Sequence, residues 1–297
     1  MEATFWRRLF HGTRCVHPSP DLEQFAGGDW ADHVMDMPVT DRLHVKQGRS
    51  IGRLVLMSDG RSLVVYLKRH YRLPRWHGLL ALIRPGAGRS PALQEWEHLR
   101  WARAQGLPVP EAVAAGEFIG PWGRLQSFLA VRELTGMLPV HEAVPAAEER
   151  LDAATFRRWK RGLAAELARL AAELHRRRHF HKDLYLCHFY VAEEDTARLP
   201  EWRDRVQMID LHRLGHHPWT WPLWLAKDLA QLWYSSEIPG VEARDRVFFW
   251  RAYRKAHPAA AARWLRMFIR AKVWSYRRHS TRGGRRSLPA KAAAAHV

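Results

Sequence analysis

The chain has 297 residues, 47% of them hydrophobic and 26% charged, which is typical of a globular protein and excludes a disordered or fibrous class. Its formal net charge of +18 is unusual and predicts either an anionic partner (nucleic acid, acidic lipid headgroups, or a phosphorylated or carboxylated substrate) or only a solvated basic surface. The two cysteines, Cys15 and Cys187, are too far apart in sequence to suggest a disulfide framework, and we expect a reducing compartment.

Short strands dominate the first part of the chain. The Ser58-Asp-Gly60 turn signal between two alternating apolar runs predicts an antiparallel meander. A basic connector follows, and then a helix over 91–105 that ends at Gly106. Strands are predicted over 43–48, 51–57, 62–68, 115–118 and 125–132.

The second half changes to a mainly helical pattern. Leucines recur at helical spacing from Leu163 to Leu174 and predict a long buried helix over 154–175. Further helices are predicted over 223–235 and 241–256, and short strands over 187–191 and 206–209. A small sheet-and-helix half followed by a helical half predicts an α+β fold with two lobes, divided near 134–142.

The strongest chemical signal is the segment His181-Lys-Asp-Leu-Tyr-Leu-Cys-His-Phe189, between a predicted helix and a predicted strand. Asp210 follows later, at the end of a second apolar strand, in Met208-Ile-Asp-Leu-His212. Two carboxylates placed after hydrophobic elements suit a metal-phosphate site, in which one orients a hydroxyl nucleophile and the other holds Mg²⁺ against phosphates.

These residues carry a resemblance. The spacing of His181, Asp183 and Asp210 is that of a protein-kinase catalytic loop and its metal-binding aspartate. The particular variant, with Ile-Asp-Leu-His downstream, resembles the lipopolysaccharide core kinase (Kdo/heptose kinase, WaaP-like) family, and Lys227-Asp-Leu229 and Tyr234-Ser-Ser236 resemble that family's later helix. The resemblance covers about residues 43–236 and implies a protein-kinase-like fold that uses ATP and Mg²⁺.

The resemblance implies that Asp183 is catalytic and that Asp210 binds the metal. An ordinary protein kinase has Asn where this chain has His188, which is therefore a metal ligand, a phosphate donor or a structural group. Tyr185 stands where Ser/Thr protein kinases usually have lysine, which argues against a protein substrate. Asp228 is expected to brace the catalytic loop.

In the small lobe, the kinase interpretation makes Lys68 the lysine that contacts the α- and β-phosphates of ATP. Glu95 is its expected ion-pair partner, with Glu97 as the competitor. The two glutamates point about 200° apart on one helix, so only one can face the site.

The expected nucleotide contacts also include the turn Gly48-Arg-Ser-Ile-Gly52 and the last strand of the small lobe. Gly48, Ser50 and Gly52 form a poor phosphate-covering loop that would be a plain hairpin turn if taken alone. Glu133 closes the segment whose backbone is expected to meet adenine.

The predicted organisation is an N-terminal extension (1–40), a small lobe (41–133), a large helical lobe (134–278) and a basic disordered tail (279–297). Residues from Arg263 onward include ten Lys/Arg and no Asp or Glu. They predict either an amphipathic helix that seeks an acidic membrane surface, with Trp264, Phe268, Ala271 and Ser275 on one face, or a packed helix with a disordered tail. The tryptophans Trp219, Trp221 and Trp224 are expected to pack in the core rather than touch a sugar or acyl face.

We therefore expect an ATP-dependent kinase that phosphorylates a sugar hydroxyl of a lipopolysaccharide core, a Kdo or a heptose, or a similar anionic glycolipid. Two alternatives stay open: a kinase of the same fold that acts on a protein or a soluble alcohol, and a pseudokinase that binds an acidic surface. We expect a cytoplasmic protein without a secretory leader, with peripheral contact to the inner face of the cytoplasmic membrane as an option, and no nucleic-acid partner.

Overall fold

A computed structural model describes residues 2–46, 48–88 and 90–282. Within them the chain forms two compact units. The N-terminal unit comprises the residues up to Ala104 and Pro110–Leu134, and the C-terminal unit comprises Gln105–Val109 and the residues from Thr135 onward. Most of the predicted basic tail, residues 283–297, lies outside the described residues.

The N-terminal unit contains, within the described residues, a six-stranded antiparallel sheet in the order β1-β5-β6-β4-β3-β2. Asp59 and Gly60 both have positive φ between β3 and β4, as a two-residue hairpin turn requires. The strands are β1 (Thr13–Val16), β2 (Thr40–Lys46), β3 (Arg49–Ser58), β4 (Arg61–His70), β5 (Ala112–Gly120) and β6 (Arg124–Arg132).

Helices cover this sheet, and the first forty residues take part in it. Strand β1 pairs with β5, and Leu22 and Trp30 pack against Leu63, Val65 and Phe128 of the sheet. Apolar burial therefore joins the predicted N-terminal extension to the same core. The basic connector contains a helix that the sequence analysis did not predict, α4. The helices are α1 (Glu2–His11), α2 (Pro20–Ala26), α3 (Trp30–His33), α4 (Arg75–Ile83) and α5 (Pro91–Ala104).

The C-terminal unit is mainly helical. The predicted leucine-rich helix is α7, which begins after Asp152, whose carboxylate accepts hydrogen bonds from the backbone N–H groups of Ala154 and Thr155. The helices are α6 (Val140–Arg150), α7 (Ala153–Arg176), α8 (Trp221–Ser235), α9 (Ala243–Ala256) and α10 (Arg263–Arg282). The predicted α+β class, an antiparallel sheet followed by a helical part, is confirmed.

Short strands in this unit hold the loops that carry the predicted catalytic residues. Strands β7, β9 and β10 form one small sheet, and β8 pairs with β11. They are β7 (Met137–Pro139), β8 (His179–Phe180), β9 (Phe189–Ala192), β10 (Gln207–Met208) and β11 (Gly215–His216).

Helix α10 packs on one side and exposes aromatic residues on the other. Leu265, Ile269 and Val273 are buried, while Trp264 and Trp274 are more than half exposed. The exposed face therefore differs from the predicted one, because two members of the predicted face, Phe268 and Ser275, are half-buried. Among the described residues, no helix combines the length and the apolar character needed to cross a bilayer.

The core prediction was wrong for Trp219. Its side chain is 92% exposed, and Trp221 and Trp224 are half-buried. Trp219 is exposed because it lies two residues before the start of α8 and does not share the packed face of that helix.

Candidate active site

The predicted catalytic loop, residues 181–188, is held from below by helix α8. Asp228 of that helix is fully buried, and its carboxylate oxygens accept hydrogen bonds from the backbone N–H groups of His181 and Lys182, both at 2.8 Å. Lys182 has a φ of 67°, a left-handed conformation that costs a residue with a side chain about 1–3 kcal/mol. Asp228 therefore fixes a strained turn directly before Asp183, and its predicted bracing role is confirmed. It lies inside helix α8, not at its start.

Two more residues on the same helix face continue this support. Gln231 Oε1 accepts a hydrogen bond from the Leu184 N–H at 3.3 Å, and Ser235 Oγ accepts one from the Leu186 N–H at 2.8 Å. Residues three and four positions apart share one face of a helix, so Asp228, Gln231 and Ser235 form a ladder under the loop.

Asp228 is itself anchored by a buried pair, His175 and Tyr253. The Nε2 atom of His175 lies 3.3 Å from Asp228 Oδ2, and its Nδ1 atom lies 2.6 Å from the Tyr253 hydroxyl. Since an ionised carboxylate can only accept, His175 donates from Nε2 and its Nδ1 accepts from Tyr253. Burial raises the pKa of Tyr253 well above its ordinary value, so that its hydroxyl keeps the proton it donates.

The predicted catalytic residue Asp183 lies among positive charges. Arg213 Nη1 donates to both carboxylate oxygens of Asp183, at 3.0 and 3.2 Å, and Lys227 Nζ lies 3.9 Å from Oδ1. Lys227 Nζ also donates to the carbonyl oxygen of Lys182. Burial lowers the pKa of Lys227, while the charge on Asp183 acts in the opposite direction. The arrangement suits chemistry that brings a negatively charged group to Asp183.

The predicted metal residues, Asp210 and His188, are brought together. His188 Nε2 lies 3.6 Å from Asp210 Oδ2, and both side chains are buried. His188 Nδ1 donates to the carbonyl oxygen of Asp183 at 2.7 Å, so Nε2 carries the lone pair that a metal ligand needs. Asp210 Oδ1 is 2.6 Å from His212 Nδ1, and Asp210 has a left-handed φ of 62°.

The donor set fits a nucleotide-bound magnesium ion better than a dedicated metal cage. Nowhere in the part of the chain that the structure describes do three or more His, Cys, Asp or Glu side chains converge as a metal site. Mg²⁺ usually takes one or two carboxylates from the protein and completes its coordination with phosphates and water. The Asp210 carboxylate with His188 Nε2 at 3.6 Å is the pair of donors that the metal prediction requires.

In the N-terminal unit, Lys68 and Glu95 form a buried ion pair. Lys68 Nζ donates to Glu95 Oε1 at 2.7 Å, and the two residues are 6% and 4% exposed. The competitor Glu97 is exposed on the other side of α5. Burying two charges in this geometry is costly unless both are paired, so removing either partner should be strongly destabilising.

The register of the sheet places the side chains of Ser50 and Lys68 on opposite faces. Lys68 pairs with Ile51, so these two side chains share a face, whereas Ser50 pairs with Arg69 and lies on the opposite face. The Ser50 hydroxyl therefore points away from the face of Lys68. Packing alone accounts for glycine at position 52, because a Cβ there would lie 2.5 Å from Val39 Cγ2.

Gly48 is in the turn between β2 and β3, and Glu133 follows β6. Gly48 has a φ of 84°, which only glycine adopts readily. The Glu133 carboxylate forms a two-pronged ion pair with Arg53, at 2.6 and 2.9 Å, and its N–H donates to the Val64 carbonyl at 3.0 Å. Its amide is thus engaged within the sheet, and the contact of this segment's backbone with adenine stays a prediction.

Sequence reasoning missed two contributors, Arg213 and Gln231, and gave His212 no role beside Asp210. The spacing of Gln231 and Ser235 from Asp228, three and seven residues on, is a signal that could have found the helix face below the loop. Arg213 stands in the turn after Asp210 and no local pattern singles it out, whereas His212 ends the Ile-Asp-Leu-His segment that carries the resemblance.

Comparisons with known proteins identify the family of this chain. A sequence model of the Lipopolysaccharide kinase (Kdo/WaaP) family matches residues 42–253. The chain is similar to lipopolysaccharide core heptose(I) kinase WaaP of Pseudomonas aeruginosa, with 32% identity over 162 residues that cover 54% of this chain and 59% of that protein. It is similar to the protein of the same name from Escherichia coli strain K12, with 29% identity over 181 residues that cover 59% of this chain and 63% of that protein.

The chain thus matches less than two thirds of the length of these curated relatives. Among solved structures, one described as WaaP in complex with acyl carrier protein has a TM-score of 0.65 and 25% identity, and covers 88% of this chain and 98% of that chain. The family match spans well over half of the sequence and includes Lys68, Asp183 and Asp210. This protein belongs to the lipopolysaccharide kinase (Kdo/WaaP) family.

Proposed function

We propose that this protein transfers the γ-phosphoryl group of ATP to a sugar hydroxyl of a lipopolysaccharide core, a Kdo or a heptose. The observation that carries the proposal is the rigid loop that presents Asp183 beside Arg213 and Lys227, in a chain of this family. The curated relatives are named heptose(I) kinases, which makes heptose the first acceptor to test.

The proposed role of Asp183 is to accept a hydrogen bond from the acceptor hydroxyl and to take its proton. As the hydroxyl oxygen bonds to the γ-phosphorus, the bond from phosphorus to the bridging oxygen breaks and ADP leaves. Arg213 and Lys227 are placed to offset the negative charge of the incoming phosphoryl group. The Asp228 ladder keeps Asp183 in position, so little reorganisation is needed during the reaction.

On the nucleotide, we propose that Lys68, oriented by Glu95, binds the α- and β-phosphates. Gly48 and Gly52 would contribute backbone contacts. We propose that Asp210 holds Mg²⁺, with His188 as second donor, and that the ion neutralises phosphate charge when bound.

Phosphate transfer onto a panel of purified core oligosaccharides, with radiolabelled ATP, tests this function. Asp183→Asn should lower the rate by about 10²–10⁴-fold while ATP still binds. Asp204→Asn is the matched control, since Asp204 is an exposed acid in the same unit whose partner is Arg169, and it should leave the rate unchanged.

The same panel separates the alternatives. Transfer to a protein or to a soluble alcohol, but to no core sugar, would replace the acceptor and keep the kinase. No turnover with any acceptor, together with intact ATP binding, would identify a pseudokinase.

We also propose two partners. The solved WaaP structure contains an acyl carrier protein. In the C-terminal unit an apolar cavity of about 90 Å³ is lined by Val144, Leu163, Leu167 and Phe249 among others, and we propose that the end of an acyl chain enters it. Filling it with Ala164→Trp should weaken binding of an acylated carrier protein more than of the unacylated form.

The second partner is an acidic membrane surface, reached through the basic helix α10, in a cytoplasmic protein that associates peripherally with the inner face of the membrane. Its exposed side carries Trp264, Met267 and Trp274, with arginines between them. Trp264→Ser/Trp274→Ser should then reduce sedimentation with anionic vesicles.

A further inference from the structure

The N-terminal unit exposes a second apolar surface, on α1, α4 and the Pro121–Gly123 turn. Seven large apolar side chains there are between 38% and 61% exposed, and we call them the aromatic patch. Its members are Trp6, Phe10, Trp76, Leu79, Leu80, Ile83 and Trp122. Exposed apolar side chains that are grouped in this way, rather than scattered singly, mark an interaction site.

The patch is a built surface in which three elements are locked together. A Cβ on Gly78 of α4 would lie 2.0 Å from the Gly123 carbonyl oxygen, so helix and turn touch backbone to backbone. Arg8 of α1 donates to the carbonyl oxygen of Leu82 at 3.3 Å. Beneath them a small core joins the helices to the sheet through Leu9, Ala81, Leu82, Ile119 and Leu125.

Trp122 shows that this surface is maintained at a cost to folding. Its φ of 56° and ψ of 33° are left-handed, a conformation in which glycine would be less strained. Its indole gains little burial in return, since it is 56% exposed, with Phe10 edge-on at 5.2 Å. Fold stability alone does not explain a tryptophan at this position.

The charged side chains on the segments that carry the patch have one sign, apart from Glu2 at the start of α1. Segments 5–12, 71–84 and 120–126, which carry the patch, contain no Asp or Glu. Their arginines are Arg7, Arg8, Arg72, Arg75, Arg84 and Arg124, and all except Arg8 are exposed. The partner of this surface must therefore be apolar in its interior and anionic at its edge.

We propose that the aromatic patch docks on an anionic lipid bilayer. Tryptophan and aliphatic side chains with surrounding arginines suit the boundary between acyl chains and acidic headgroups. A second copy of this chain fits less well, because a two-fold contact would place the same arginines of both copies against each other. This surface contains none of the residues assigned to phosphoryl transfer, so its test is independent of the proposed kinase activity.

Sedimentation of the full chain with vesicles tests the proposal. We expect binding to an equimolar mixture of phosphatidylcholine and phosphatidylglycerol, and much weaker binding to phosphatidylcholine alone. Arg75→Gln and Arg84→Gln should each lower the partition coefficient about fivefold. Trp76→Ser/Ile83→Ser should lower it by about tenfold or more.

Trp122→Gly separates docking from folding. It removes an exposed indole and relieves the left-handed strain, so we expect weaker vesicle binding at an unchanged or higher Tm. Trp219→Ser is the matched control, because Trp219 is the more exposed tryptophan but belongs to the other unit, and it should bind vesicles as the native chain does.

Several outcomes would overturn the proposal. They are no binding of the native chain to anionic vesicles, patch variants that bind like the native chain, and binding lost only in Trp264→Ser/Trp274→Ser of α10. Self-association or capture of an acidic protein that depends on the patch, without vesicle binding, would assign the surface to that partner instead. Retained phosphate transfer to a soluble core oligosaccharide by a variant that has lost vesicle binding would show that docking and catalysis are separate.

Discussion

Replacing Asp228 with asparagine tests the physical basis of the loop that presents Asp183. The carboxylate accepts from two backbone N–H groups at 2.8 Å and faces the His175 ring, with no exposure to solvent. Asparagine keeps the shape but turns one acceptor into a donor, so one backbone N–H of His181 or Lys182 is left buried without a partner. That loss costs about 1–3 kcal/mol, and the surviving bond, now to a neutral group, loses about 1 kcal/mol more.

We therefore expect Asp228→Asn to lower the free energy of unfolding of the C-terminal unit by about 2–4 kcal/mol. Urea denaturation measures this, and hydrogen exchange of the 181 and 182 amides locates it, since both should exchange faster than other amides of the unit. Ser235→Ala removes one neutral hydrogen bond from the same ladder at a half-buried position, where water can replace the hydroxyl, and should cost about 1 kcal/mol. An Asp228→Asn protein as stable as Ser235→Ala, with the two amides still protected, would refute the reasoning.

The remaining predictions concern other buried groups. Lys68→Met should destabilise the N-terminal unit by about 3–5 kcal/mol, and Lys68→Met/Glu95→Leu should recover most of that loss in calorimetry; a double variant as unstable as the single one would contradict this. Burial lowers the pKa of His257, so the folded state favours its neutral form and the stabilisation is present above about pH 6.5 and lost as the pH falls below it. The Tm of His257→Gln should accordingly fall less than that of the native chain on acidification; equal falls would exclude His257 as the cause. Burial raises the pKa of the Cys187 thiol to about 12, so iodoacetamide at neutral pH should modify Cys187 only after unfolding, which labelling in a Cys15→Ser background measures; fast labelling of the native variant would contradict it.

Much of the fold could be predicted from short-range patterns. The Asp-Gly turn and its flanking alternation predicted the β3–β4 hairpin, and the leucine spacing predicted α7, because these signals come from neighbours in sequence. Helix α4 was missed, since Pro74 and Pro85 flank it, Gly78 lies inside it and it exposes several apolar side chains. The first forty residues also gave no clear pattern, and only packing on the sheet reveals that Leu22 and Trp30 belong to its core.

The candidate site, too, was predictable from the sequence only in part. Asp183, His188 and Asp210 stood out because their spacing matches a known catalytic loop, and Lys68 because it ends a strand. Which glutamate faces Lys68 could not be decided by helical periodicity, which only states that Glu95 and Glu97 point apart; the packing of α5 selects Glu95.

By itself, the sequence identified the family and predicted the class of chemistry, because both depend on residue types and their order along the chain. Tertiary structure alone decided the surroundings: Arg213 against Asp183, the Asp228 ladder below the loop, and the Ser50 hydroxyl on the face opposite Lys68. The physical reason is that two things depend on register and packing between segments distant in sequence: which side chains contact each other, and on which face of the sheet a side chain lies. Local propensities carry no information about either.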